Sequence, residues 1–222
     1  MRAFDLMLFD LDGTLVETAP EIMDAVNDTL SRFALPLVTQ TQVNDWIGHG
    51  TRELMVKALV QVTGSTPEQV RTSKLLGKIM PVYDGFYARR CGTRSQPYPQ
   101  VRETLQALRA KGVKLAVVTN KEGHYTQVVL AVHQLQGLFD AVVSGDTLPT
   151  KKPNPAGVQQ CLSQFGVLPT RALFVGDSSI DAATARSAGV PVWLLPYGYN
   201  MGQSVQACAP DRVIQDFSEL LI

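Results

Sequence analysis

Phe4-Asp5-Leu6-Met7-Leu8-Phe9-Asp10-Leu11-Asp12-Gly13-Thr14 decides how the rest of this 222-residue chain is read. The apolar run stops at Asp10 and the turn-forming Asp12-Gly13-Thr14, which predicts a buried strand that delivers carboxylates at its C-terminal end. Four later stretches repeat the form: 113–118 runs into Thr119-Asn120, 141–143 into Ser144-Gly145-Asp146, 173–175 into Gly176-Asp177, and 190–195 into Pro196-Tyr197-Gly198. Helical patterns lie between them at 101–110, 125–133, 156–165 and 181–188, the last closed by Gly189. Strand and helix alternate, so the expected architecture is α/β with a doubly wound parallel sheet.

From Glu17 to Arg90 the rhythm breaks, with helical periodicity and no convincing strand. An all-helical insertion is expected there, with helices at 20–33, 52–62 and 67–89, the last kinked at Pro81. Gln96-Pro97-Tyr98-Pro99 marks the return. The division is therefore a catalytic core of residues 1–15 and 93–222 and a helical cap of 16–92.

Composition narrows the function classes. Hydrophobic residues make up 45% and charged residues 18%, with 20 Lys+Arg against 20 Asp+Glu, which argues against disorder and against a polyanion-binding surface. No nucleic-acid or membrane partner is expected, since no apolar run approaches the roughly 18 residues that span a bilayer. Asp5 interrupts the N-terminal apolar stretch before a signal-peptide core forms, so a cytoplasmic location is expected. Cys91, Cys161 and Cys208 have no CxxC spacing and read as reduced structural thiols. Oligomeric state is not legible.

The polar residues carry the chemistry. Ligands of open α/β sheets bind beyond the carboxyl ends of the strands, where strand order reverses. Here that edge collects Asp10, Asp12, Thr119, Asn120, Asp146 and Asp177, with Asp181 four residues further on. Clustered carboxylates repel unless a cation joins them, and hard oxygen donors point to Mg²⁺ rather than zinc.

Four segments, in order, resemble the motifs of the haloacid dehalogenase superfamily: Asp10-Leu11-Asp12-Gly13-Thr14, Thr119-Asn120, Lys152-Pro153, and Gly176-Asp177-Ser178-Ser179-Ile180-Asp181. The helical insertion is similar to that superfamily's cap domain. Trp46-Ile47-Gly48-His49-Gly50 and Tyr197-Gly198-Tyr199-Asn200 further resemble its bacterial phosphoglycolate phosphatase branch. The resemblance implies a Mg²⁺-dependent phosphomonoesterase that works through an aspartyl-phosphate on a small phosphorylated metabolite, best matched by 2-phosphoglycolate. Asp10 would be the nucleophile and Asp12 the acid and then the base. The metal would be held by Asp10, the Asp12 carbonyl and Asp177, with Asp181 behind it. Leu11, Asp12, Thr119, Asn120 and Lys152 would cradle the phosphate, with Thr119 alternatively a helix cap and Lys151 a solvated surface charge.

Other chemistries remain open on the same fold. A sugar-phosphate phosphatase, for N-acetylmuramate 6-phosphate among others, and a sugar phosphomutase would both keep Asp12. A superfamily dehalogenase or a signalling phospho-acceptor domain would not. Gly48-His49-Gly50 is no dinucleotide fingerprint, because Glu53 stands where its third glycine should be. Met55, Met80 and the helical aromatics read as core, and His124 and His133 as helix-end residues. Gly48, His49 and Arg52 are the candidate specificity residues of the cap. Arg52, at the start of a helix, is either the partner of a substrate carboxylate or a solvent-facing helix charge.

Overall fold

The computed structural model describes residues 4–221, so residues 1–3 and 222 of the expected core segments lie outside the described residues. Leu6–Phe9 forms strand β1, and every one of its side chains is buried. Period-two alternation sends Leu6 and Leu8 into one apolar cluster and Met7 and Phe9 into another. A strand with two buried faces needs cover on both, which the helices supply.

After β1 come the short strand β2 (Val16–Glu17) and helices α1 (Ala19–Arg32), α2 (Gln40–Trp46), α3 (Thr51–Thr63), α4 (Pro67–Thr72) and α5 (Lys74–Arg90). The short β3 (Gln96–Pro97) then pairs antiparallel with β2, Val16 opposite Pro97 and Glu17 opposite Gln96. The alternating part follows as α6 (Val101–Ala110), β4 (Lys114–Val118), α7 (Gly123–Val132), β5 (Ala141–Val143), α8 (Ala156–Phe165), β6 (Ala172–Gly176), α9 (Ser179–Ser187), β7 (Val192–Leu194) and β8 (Arg212–Val213). The main sheet has the order β5-β4-β1-β6-β7-β8, with every pairing parallel. The chain builds outward from β1 first to one side and then to the other. The order therefore reverses at β1, and the crevice opens at its carboxyl end.

Three details differ from the sequence reading. The expected helix at 67–89 is two helices, broken not at Pro81 but at Ser73, which is extended (φ −73°, ψ 143°) and whose hydroxyl accepts from Leu76 N to cap α5. Pro81 stays inside α5. Helix α2 escaped notice because Val43 is its one buried side chain; a reciprocal Thr39–Gln42 capping box starts it. The two-residue strands β2, β3 and β8 are specified by their partners rather than by local pattern.

The helices between β2 and β3 pack by an inward stripe on α5: Leu76, Ile79, Tyr83 and Tyr87 are its buried residues. The joint with the sheet is held by Glu21 of α1, which is fully buried and whose Oε2 accepts from Gly92 N (2.9 Å), Arg94 N (3.2 Å) and Ser95 N (3.0 Å). No helix among the described residues is long and apolar enough to cross a membrane. Cys91, Cys161 and Cys208 are free thiols.

The carboxyl-terminal segment closes the core. Phe217 is fully buried and its ring stacks on Phe9 at 5.6 Å between centroids. Truncating a buried Phe leaves a cavity besides losing transfer energy, so Phe217→Ala is expected to lower unfolding stability by about 3–5 kcal/mol. Urea denaturation followed by circular dichroism measures it. A loss below about 1 kcal/mol, typical of surface changes, would detach this segment from the core.

Candidate active site

Parallel pairing on both sides of β1 brings the ends of β1, β4 and β6 to one edge, and the motif residues meet there. Asp10 is nearly buried, and its Oδ1 accepts from Leu11 N at 2.7 Å and from Lys152 Nζ at 2.9 Å. Its Oδ2 has no recorded hydrogen bond among the described residues. The same ammonium reaches Asp181 Oδ1 at 2.7 Å, beneath the cis Lys152–Pro153 bond and beside the Phe174 ring. Burial opposes the charge of Lys152, but Asp10 and Asp181 hold it above the ordinary lysine value.

Asp181 is fully buried and satisfied. Its Oδ2 accepts from Asp177 N, Ser178 N and Ser178 Oγ, which pins the turn from β6 into α9. Asp177 accepts from Thr14 Oγ1 at 2.6 Å and from Tyr199 N at 2.5 Å. This close fit explains the glycines around it: a Cβ at Gly13 or Gly198 would lie 2.5 Å or 2.3 Å from Asp177 Oδ2. Tyr199 also accepts, at its hydroxyl, from Thr18 N and Ala19 N at the start of α1. Asn200 Oδ1 accepts from Ser179 N at the start of α9. Tyr197-Gly198-Tyr199-Asn200 thus ties one acid of the site to two helix starts.

One carboxylate oxygen from each of Asp10, Asp177 and Asp181 lies within 4.8 Å of the others. Burial pushes the Asp10 carboxyl up to about 6, with Lys152 pulling it down and Asp181 pushing it further up. Burial, then Asp181 and Asp10, raise Asp177 well above the usual carboxylate range. Three buried acids around one lysine want more positive charge, and their hard oxygens fit a divalent cation of the Mg²⁺ type. Both oxygens of Asp181 accept hydrogen bonds from the site's lysine and the turn into α9, and those of Asp177 accept one each from Thr14 and Tyr199, so among these acids Asp10 Oδ2 is the oxygen with no recorded donor among the described residues.

Asp12 points the other way. Its Oδ1 accepts from Thr18 Oγ1 at 2.7 Å and from Lys121 Nζ at 3.0 Å. Lys121, buried and next in sequence to Asn120, also donates to Tyr87 OH of α5 at 2.6 Å. Burial lowers its affinity for a proton, yet Asp12 carries it above the ordinary lysine value. Lys121 and Tyr87 were missed in the sequence. The signal available was position: Lys121 follows a strand-end Thr-Asn pair, and Tyr87 is spaced four from Tyr83 on one face of a helix.

Thr119 is no helix cap, since α7 begins after Glu122; its Oγ1 accepts from Lys121 N at 3.2 Å. Asn120 Nδ2 donates to Gly48 O and Lys152 O at 2.8 and 3.0 Å, and its buried Oδ1 has no partner. The Leu11 amide, expected to face a phosphoryl group, is taken by the adjacent Asp10 carboxylate. Asp146 sits away from the acid cluster at the start of α7, accepting from Gly123 N at 2.8 Å.

A cavity of about 50 Å³ lies between sheet edge and helices, lined by Asp10, Asp12, Thr119, Asn120, Lys121 and Glu122 from below. Gly48, Thr51, Leu54, Tyr83 and Tyr87 line it from above. Two of the three cap candidates are absent from the lining. His49 is outside it, with a buried Nδ1 that has no partner and with burial and Lys57 lowering its proton affinity. Arg52 is exposed, and its Nη2 reaches Arg71 O at 3.5 Å, because the side chain runs along the outer face towards α4 rather than across the start of α3. Lys151 is exposed, as read, but its ammonium lies against Gly50.

Residues 7–195 match the haloacid dehalogenase-like hydrolase family. A Haemophilus influenzae protein named phosphoglycolate phosphatase is 39% identical over 218 residues, covering 98% of this chain and 97% of its own. A Nitrosococcus oceani protein of the same name is 37% identical over 216 residues, covering 97% and 94%. The crystal structure of a Haemophilus somnus protein, described as a predicted phosphoglycolate phosphatase, superposes with a TM-score of 0.93 at 36% identity, covering 100% of this chain and 98% of its own. The chain belongs to the haloacid dehalogenase-like hydrolase family.

Lys152→Met tests the electrostatic account of the acid cluster. Removing one partner of a buried ion pair strands the others, so a stability loss of about 3–5 kcal/mol is expected at pH 7.5. The loss should shrink by pH 5, where Asp10, at about 6, takes up its proton. Urea unfolding at the two pH values measures both. An equal loss at both would mean that packing, not charge, is what the lysine supplies.

Proposed function

We propose that this chain, a phosphoric monoester hydrolase, acts on 2-phosphoglycolate and releases glycolate and phosphate. The observation that carries the reading is the site itself: Asp10, with one carboxylate oxygen that has no recorded donor among the described residues, and Asp12 line one cavity at the sheet edge together with Thr119, Asn120 and Lys121. The names of the similar proteins point to the same ester.

In this reading residues 16–92 are a cap over a core of 1–15 and 93–222, closing on the substrate and excluding water. Asp10 attacks phosphorus in line through its unpaired oxygen and forms an aspartyl-phosphate, dividing a slow hydrolysis into two easier displacements. Lys152 keeps Asp10 in its attacking orientation and offsets the charge of the phosphoryl oxygens. Thr119 donates its hydroxyl to one of those oxygens, with Asn120 and the nearby amides completing the cradle. Asp12 gives its proton to the departing alkoxide and then takes one from the attacking water. Mg²⁺, held by the Asp10 and Asp177 carboxylates and the Asp12 carbonyl, would neutralise charge on the transferring group.

Two experiments test this. On a panel of phosphate esters, kcat/KM should be highest for 2-phosphoglycolate, excess chelator should abolish turnover, and Asp10→Asn should lower kcat by at least about 1,000-fold, as loss of a nucleophile does. Full activity with excess chelator would remove the metal from the reaction, and a folded, active Asp10→Asn would remove the nucleophile. Mg²⁺ should also raise the Tm more at pH 7.5 than at pH 5. The cation must displace the proton from Asp10, which titrates at about 6 and is mostly protonated at the lower pH. A shift that does not grow with pH would place the cation elsewhere.

A further inference from the structure

Phosphoglycolate is a dianionic ester with a second anion, and the reading above leaves that carboxylate without a partner. A buried carboxylate needs one. Arg52 faces outward, and Lys152, paired with Asp10 and Asp181, lies outside the cavity lining. Among the described residues that line the cavity, Lys121 is the one cation. The residue is 6% exposed, and its ammonium donates to Asp12 Oδ1 (3.0 Å), more weakly to Asp12 Oδ2 (3.4 Å) and to Tyr87 OH (2.6 Å); the long Oδ2 contact is the one an incoming carboxylate would replace.

The spacing matters more than the charge. Lys121 Nζ stands 3.0 Å from Oδ1 and 3.4 Å from Oδ2 of Asp12, the residue that would protonate the leaving group. In a 2-phosphooxy carboxylate the ester oxygen and the nearer carboxylate oxygen are joined through two carbons and lie about 3 Å apart by ordinary bond lengths. An acid and a cation set side by side at that separation match an ester oxygen and a carboxylate set side by side. A phosphate ester whose anion lies further along the chain would not meet both. Tyr87 fixes the ammonium from the cap side, and the Tyr83 ring stacked on Tyr87 at 5.7 Å keeps the surroundings apolar. Glu122, the remaining acid of the lining, is held at Oε2 by Thr51 Oγ1 at 3.0 Å, on the α3 side.

We propose that Lys121 is the specificity-determining residue of this site: it binds the carboxylate of 2-phosphooxy carboxylates and sets their ester oxygen against Asp12. The proposal rests on the phosphatase reading above. It predicts acceptance of 2-phospholactate, which has the same spacing, over 3-phosphooxypropionate, in which one more carbon intervenes.

The test compares 2-phosphoglycolate with 2-hydroxyethyl phosphate, an ester with an equally poor alkoxide leaving group but no carboxylate. Lys121→Met, checked for folding by circular dichroism, should lose about 100-fold or more in kcat/KM on phosphoglycolate, the order expected when one partner of a buried charge pair is removed. The loss on 2-hydroxyethyl phosphate should be at least tenfold smaller, and Lys121→Arg should restore part of the preference. Equal losses on both esters would overturn the proposal and make Lys121 a positioning residue for Asp12. Independently of any variant, glycolate should inhibit the wild-type enzyme at least tenfold more strongly than ethylene glycol, with 2-hydroxyethyl phosphate as substrate. Equal inhibition overturns the carboxylate site while the phosphatase reading stands. If the wild type hydrolyses neither ester with Mg²⁺, both readings fall.

Discussion

One ammonium holds this site in shape. Lys152 lies between the carboxylates of Asp10, at the end of β1, and Asp181, in the first turn of the helix that follows the adjacent strand β6. Without it the edge would gather buried acids with nothing to oppose them, and burial alone already drives Asp10 and Asp177 towards their neutral forms. The lysine in turn depends on the loop after β5, which Asn120 holds through the Lys152 carbonyl. A carboxylate on one strand is thus oriented by residues that follow three others.

A second lysine does a different job within the same crevice. Lys152 belongs wholly to the sheet edge, whereas Lys121 links a sheet-edge acid to a tyrosine on the helical layer. The first pair therefore persists wherever the helices sit. The second is complete only when α5 lies against β4 and β1. One lysine is thus held within a single layer, and the other is held across two.

Much of this was legible from the sequence, and the exceptions have physical causes. Runs such as Leu6–Phe9 announce themselves because both faces are buried, and the strand-end acids stand beside turn formers. Lys152 was distinguishable from Lys151 by the following proline. Lys121 was not, because a lysine after a strand is usually a solvated charge, and its meaning arises from Asp12 and Tyr87, distant in sequence. Arg52 left two alternatives open for the converse reason: its place at a helix start was legible, but which way a long side chain turns is decided by the neighbouring helix, and here it takes the solvent-facing one. The break at Ser73 illustrates competition between signals, a hydroxyl cap prevailing over the more conspicuous Pro81.

The paired strands β2 and β3 constrain mechanics as well as topology. The chain passes twice between the helical layer and the sheet, and the two passages are hydrogen-bonded to each other and clamped by Glu21. A single tether would permit rotation in every direction. A two-stranded ribbon bends across its flat face more readily than it twists or shears, so the pairs Val16–Pro97 and Glu17–Gln96 restrict the directions in which the helices, and with them Tyr87, could be displaced from Lys121.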